Sequence, residues 1–223
     1  MNMITFSKVN KWFGDLHVLK DVSLTVDAAE VVVICGPSGS GKTSLLSLIG
    51  CMSRPTSGRI FVDGKDVVKL PERFMTAVRR KKYGFIFQQF HLIRDVTVLE
   101  NILLPLYPLT LTIATMRERA GSVMKKLCIE DKQHFKVKQL SGGEQQRVAI
   151  ARAIINDPHI VIADEPTAHL DMKLAGEFID ILKNLCNEGK TILIATHDPC
   201  VYEDAMVSKI IAMRNGCIEE VRM

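Results

Sequence analysis

Val31-Val32-Val33-Ile34-Cys35-Gly36-Pro37-Ser38-Gly39-Ser40-Gly41-Lys42-Thr43 is the stretch from which the rest of the chain is read. Five apolar residues in a row predict a strand buried on both faces, because a half-exposed strand would alternate with polar residues. The run breaks at Gly36 into a segment that fits GxxxxGK[ST] in full, and residues 42–49 then carry a helical pattern. Strand, glycine-rich loop and helix in that order make a phosphate cradle. The glycines let backbone N–H groups turn inward, and the helix points its positive end at the anion. This P-loop reading assigns phosphate contacts to Gly36, Ser38, Gly39, Ser40, Gly41 and Lys42, and gives the Thr43 hydroxyl to Mg²⁺.

On either side of that stretch, residues 4–9 and 18–26 alternate and predict early antiparallel strands, while residues 60–64 read as a strand and turn. From about residue 88 to residue 156 no buried-strand run occurs, and the segment reads as mostly helical. Buried-strand runs resume at 160–163 and 191–195 with a helix over 174–186 between them. Residues 210–213 followed by Asn215-Gly216 predict a last strand and turn. The expectation is one α/β domain with a mixed, largely parallel sheet, an antiparallel β part and an inserted α-helical subdomain. Residues 1–87 and 157–223 would form the core, and 88–156 the insertion.

Composition narrows the function classes. Apolar residues are 47% and charged ones 24%, as in an ordinary soluble protein, and a net charge of +4 gives no case for a nucleic-acid partner. The six cysteines are scattered without a CxxC, which reads as reduced thiols and not as disulfides or a zinc site. Residues 1–11 are polar and mixed, unlike a signal peptide, and no apolar run approaches the roughly 20 residues needed to cross a bilayer.

Two further groups belong with the phosphate cradle. Ile160-Val161-Ile162-Ala163-Asp164-Glu165 sets two carboxylates at the C-terminal end of a buried strand, the edge where α/β sheets bind ligands. Such a pair is by itself often a solvated turn. Beside a P-loop, Asp164 suits Mg²⁺ and Glu165 suits polarisation of an attacking water. His197 follows the buried run at 191–195 and emerges at the same edge, where an imidazole can donate and accept around a γ-phosphate.

Leu140-Ser141-Gly142-Gly143-Glu144-Gln145-Gln146-Arg147 reads physically as a capping box, Ser141 as N-cap and Glu144 three residues on, with two glycines leaving the helix start uncluttered. Here the chain resembles the ABC ATPase family, whose signature is LSGGQ, with Glu144 at the variable fifth position. The resemblance covers essentially the whole chain. It implies a P-loop NTPase core, ATP and Mg²⁺ as ligands, and a homodimer with ATP at the interface, in which Ser141, Gly142 and Gly143 face the nucleotide held by the other copy. It further implies that Phe13, with Trp12 as rival, stacks on adenine. Gln88 would contact Mg²⁺ and act in catalysis with Glu165 and His197, and Leu170-Asp171 would end the D-loop, with Asp171 among the nucleotide-binding residues.

Residues 54–58, 84–90 and 163–167, with Leu103-Leu104-Pro105-Leu106, are similar to a bacterial group serving lipoprotein release, macrolide export and cell division. Residues 11–15 and 31–42 are also similar to ATPases of polar amino-acid importers. The implied partner is an integral membrane permease, which would hold the chain at the cytoplasmic face of the inner membrane. A cell-division-type ATPase that signals through a membrane partner shares the same motifs. Arg79-Arg80-Lys81-Lys82 reads as a solvated face, with anionic lipid or an acidic permease loop as the alternative. Two departures from the family stand out: Ala28-Ala29-Glu30, where a glycine often precedes the glutamate, and Ala168-His169, at positions where the family varies.

Overall fold

The computed structural model describes residues 2–168 and 170–223, so His169 lies outside the described residues. Strands β1 (Asn2–Phe13) and β2 (Leu16–Asp27) form an antiparallel hairpin; β3 (Val31–Cys35) then leads through the P-loop into α1 (Lys42–Ile49). Next come β4 (Ser57–Val62), the two-residue β5 (Lys65–Asp66), α2 (Glu72–Lys82) and β6 (Tyr83–Ile86). The helical stretch holds α3 (Val98–Leu103), α4 (Ile113–Lys126) and α5 (Gly142–Ile154). The chain ends with β7 (Ile160–Asp164), α6 (Met172–Asn187), β8 (Thr191–Ala195), α7 (Pro199–Tyr202), β9 (Lys209–Arg214) and β10 (Cys217–Arg222). One antiparallel sheet has the order β2-β1-β4-β5. The other runs β10-β9-β3-β8-β7-β6, parallel throughout except for its β10 edge.

The central strand behaves as its apolar run predicts. Val31 and Val33 point into a core with Phe178, Leu182 and Ile192, and Val32 and Ile34 point into a second core with Leu45, Leu48 and the antiparallel sheet's Ile4 and Phe6. All four side chains are fully buried, each worth about 1.5–3 kcal/mol relative to exposure. Register then sets the site. Ile34 and Asp164 both pair with Ala195, and Ile86 pairs with Ala163, so four parallel strands end at one edge. The chain leaves that edge as the P-loop, as Glu165, as His197 and as the loop carrying Gln88.

The structure departs from the sequence reading in places. Helix α2 is not among the sequence expectations; its apolar stripe is short, Phe74, Met75 and Val78, with Met75 alone buried. Its basic last turn is largely engaged within the chain: Arg79 donates to the Cys51 carbonyl at 2.6 Å, Arg80 to Pro108 O at 3.4 Å, and Lys82 pairs with Asp63. Residues 88–97 are irregular and not helical. Phe90 and His91 both take left-handed φ values, 58° and 47°, and helix α3 begins only at the Thr97 cap. Ala29 also sits at φ 60°, the turn where the resembled family often has glycine.

Candidate nucleotide site

Residues 37–44 wrap a cavity of 610 Å³ whose wall also holds Leu16, Val18, Gln88, Glu165 and His197. Gly36 is required at the loop's entrance, since a Cβ there would stand 2.2 Å from the Met213 carbonyl oxygen, with φ at 149°. Lys42 is 8% exposed and turns its Nζ to the Gly36 and Pro37 carbonyls at 2.8 and 3.2 Å. It also lies 3.6 Å from a Glu165 carboxylate oxygen. The buried Ser40 hydroxyl finds no hydrogen-bond partner. A buried cation, an orphaned hydroxyl and a helix start without a side-chain cap fit a polyphosphate.

The Thr43 hydroxyl donates to an Asp164 carboxylate oxygen at 3.3 Å. Burial pushes the Asp164 carboxyl above its ordinary range, opposed by the Thr43 hydrogen bond and reinforced by the neighbouring Glu165 charge. Thr43, Asp164 and Gln88 line an adjoining cavity of 340 Å³. Their oxygens are the hard donors that suit Mg²⁺ together with phosphate oxygens. Among the described residues no cluster of three or more His, Cys, Asp or Glu side chains offers a separate metal site.

Glu165 stands at φ 44°, a left-handed conformation for a residue with a Cβ, which costs about 1–2 kcal/mol. Its N–H donates to the Ala195 carbonyl at 2.8 Å, and its side chain meets His197 Nδ1 at 3.0 Å. The imidazole is 71% exposed and the carboxylate 15%. Glu165 is thus held between Lys42 and His197 at the cavity wall.

The other motif residues lie elsewhere. Phe13, 55% exposed, ends β1 outside the cavity wall with the Lys11 ammonium 4.8 Å from its ring centroid. Trp12 stacks on His17 at 3.9 Å, which leaves Phe13 as the less engaged ring of the two. Ser141 caps α5 in a complete capping box with Glu144, and neither Ser141, Gly142 nor Gly143 touches the cavity. A Cβ on Gly143 would come within 2.6 Å of Leu174 Cδ2, so that glycine lets α5 lie against the first turn of α6. Asp171 caps α6 by accepting from Leu174 N at 2.9 Å.

Two side chains that the sequence did not single out tie this region together. Arg152 donates to the His91 and Phe90 carbonyls, both at 2.6 Å, and so fixes the left-handed bend beyond Gln88. Gln146, 3% exposed, donates to the Pro166 carbonyl at 3.1 Å. Polar residues on the otherwise buried face of α5 were the available signal.

The family model described as ABC transporter matches residues 19–168. The macrolide export ATP-binding/permease protein MacB of Aggregatibacter actinomycetemcomitans is 40% identical over 220 residues, covering 97% of this chain and 34% of that protein. YvrO of Bacillus subtilis, an uncharacterized ABC transporter ATP-binding protein, is 39% identical over 218 residues, covering 96% of this chain and 94% of its own. The chain therefore spans about a third of the MacB relatives and nearly all of YvrO. The dimeric structure of MJ0796, a bacterial ABC transporter cassette, matches with a TM-score of 0.90 at 41% identity, covering 99% of this chain and 98% of that one. MJ0796 is also known as a dimer in a post-hydrolysis state bound to ADP and Pi, with a TM-score of 0.90 at 40% identity over the same shares of both chains.

Proposed function

The chain belongs to the ABC transporter family as one of its ATP-binding, ATP-hydrolysing cassettes, and from that premise we propose that two copies close around two ATP molecules to drive a membrane permease of macrolide-export or lipoprotein-release type. The observation that carries the dimer is the separation of Ser141, Gly142 and Gly143 from the phosphate cavity of their own chain. Ser141 and Gly142 are exposed, which leaves this helix start free to face a nucleotide held by a second copy. The dimeric form of MJ0796 supports this reading. Macrolide export is named for relatives that join the cassette and permease in one protein. Among the described residues of this chain, no helix is long and apolar enough to cross a membrane. The permease, and the chain's place beside it at the cytoplasmic membrane face, belong to this proposal and are supported by the joined cassette and permease of those relatives.

Bound ATP would supply the γ-phosphoryl group, and Thr43, Asp164 and Gln88 would hold Mg²⁺, which would supply charge neutralisation. Lys42 exchanges its bonds to the Gly36 and Pro37 carbonyls for phosphate oxygens, and the N–H groups of the P-loop and of the first turn of α1 donate to the same anion. Glu165 accepts a hydrogen bond from the attacking water and directs it in line, while His197 fixes the carboxylate's orientation from the other side. Phe13 stacks on the base. Residues 88–156 move as a subdomain against residues 1–87 and 157–223, and Gln88 joins the two at the Mg²⁺ position.

Glu165→Gln tests the scheme. The substitution keeps size and removes the charge, so hydrolysis falls by about a hundredfold or more while ATP still binds. In gel filtration the variant shifts from monomer to dimer when ATP is added. Adding Ser141→Arg places bulk and charge at the helix start and undoes the shift. A double variant that still dimerises with ATP overturns the composite site.

A further inference from the structure

Glu165 holds a left-handed φ of 44° although it carries a Cβ and precedes a proline. A residue stays there only where its surroundings over-determine it. Hydrogen bonds along the loop do so, beginning with the Ala168 N–H to the Glu165 carbonyl at 3.3 Å. The Glu165 N–H donates to the Ala195 carbonyl at 2.8 Å, and the Thr167 hydroxyl donates to Asp198 at 2.8 Å. Both partners follow from β8, on the sheet that carries the P-loop. A further bond, from Gln146 Nε2 to the Pro166 carbonyl at 3.1 Å, comes from α5. It grips the Pro166–Thr167 peptide unit, the second one after the catalytic residue.

Helix α5 begins at the Ser141 cap, five residues before Gln146. Over that length a helix advances about 7–8 Å and moves as a rod, so a displacement at its first turn arrives undiminished at Gln146. The amide is 3% exposed. Its carbonyl partner cannot turn to water if the bond breaks, which makes the link stiff.

We propose that Gln146 is a positioning residue that carries the placement of the signature helix to Glu165 of the same chain, so that nucleotide gripped by Ser141, Gly142 and Gly143 in one site of the dimer sets the catalytic carboxylate of the other. This inference rests on the composite-site reading above. Each chain's α5 touches the partner's ATP at one end and its own Glu165 loop further along. The helix is therefore a lever between the two sites, and hydrolysis in one site depends on occupancy of the other.

Mixed dimers separate a glutamine that positions its own chain's Glu165 from one that acts through its helix's grip on nucleotide. Two differently tagged chains are combined with ATP, and the dimer retained by both tags is isolated. One chain carries Glu165→Gln, so only the other cleaves ATP once Mg²⁺ is added. Gln146→Met on the chain with the working Glu165 slows cleavage about tenfold, the size of a lost buried hydrogen bond. The same substitution on the Glu165→Gln chain changes it by less than about twofold, even though that chain's α5 faces the ATP being cleaved.

An equal or larger effect from the second placement overturns the proposal, because Gln146 would then act through its own helix's grip on nucleotide. No slowing from the first placement overturns it as well. Gln146→Glu, of the same size but without the amide donor, gives the same pattern and replaces Met if that chain does not fold. Failure of any dimer to be retained by both tags in ATP is a different result. It removes the composite site itself, and the lever with it.

Discussion

The P-loop and the start of α5 are both glycine-rich entries to a helix, and they are finished in opposite ways. Helix α1 begins after Gly41 with no side-chain cap and no acidic residue in its first turn. Helix α5 begins with a reciprocal capping box: Glu144 N donates to Ser141 Oγ at 3.4 Å, and the Ser141 N–H donates to the Glu144 carboxylate at 2.8 Å. Free N–H groups at a helix start want an anion. At α1 none is supplied by the chain, and a buried lysine stands by with only backbone carbonyls and a distant carboxylate for company. At α5 the chain supplies its own. The first site is incomplete without phosphate, whereas the second is a stable surface that a ligand can be brought against.

The most severe way to break this contrast is Lys42→Ala. The residue opens α1, whose start does not depend on a side-chain cap, so the variant should remain folded while ATP turnover falls about a hundredfold or more. A steady-state phosphate assay beside a thermal melt checks both halves. Turnover near that of the parent chain would remove the cradle assignment.

Gly142→Ala probes the other entry with a smaller effect. A Cβ at Gly142 meets nothing within 4 Å, unlike one at Gly143, which would press on Leu174. Within one chain the change should raise stability by about 0.5–1 kcal/mol, the usual gain of alanine over glycine in a helix. If Gly142 is small in order to admit the partner's ATP, activity should nevertheless drop, by about tenfold. Higher stability with lower turnover is the expected pair of results in a melt and an ATPase assay. Unchanged turnover would mean that no ligand approaches this face.

The sequence announced one of these entries almost completely and the other only in outline. Buried strands show as unbroken apolar runs, and their common edge follows from parallel pairing, so Lys42, Thr43, Asp164, Glu165 and His197 could be grouped from the residues themselves, while Gln88 joined them only through the family resemblance. Helix α2 is easily missed, since its apolar stripe is confined to Phe74, Met75 and Val78 and a basic run fills its last turn. Nor could Arg152 and Gln146 be assigned work. Their partners are carbonyls of Phe90, His91 and Pro166, and a backbone acceptor has no residue type to mark it. The left-handed turns at Phe90 and His91 were hidden for the same reason: neither is a glycine.

The smallest effect, and the sharpest on the contrast, is a difference in sign. The Asp164 carboxyl is pushed above its ordinary value of 3.8, chiefly by burial. The folded chain therefore holds that proton more tightly than the unfolded chain. Stability from this group is full below the ordinary value and is lost as pH rises through the folded one. Glu144 runs the other way. The Ser141 backbone N–H, then its hydroxyl, hold the Glu144 carboxyl below its ordinary value of 4.5. Its contribution is present above that value and is lost as pH falls. Without nucleotide at pH 7, Asp164→Asn should accordingly melt at a higher temperature than the parent chain, and Glu144→Gln at a lower one. The Asp164 difference should shrink as the pH is taken down through that carboxyl's raised value, and the Glu144 difference only once the pH falls below 4.5. Thermal melts across that range decide the matter. Shifts of the same sign at pH 7 would mean that the two helix entries do not differ in the way their charges and caps imply, and that the phosphate cradle is not a site held at a cost to the empty fold.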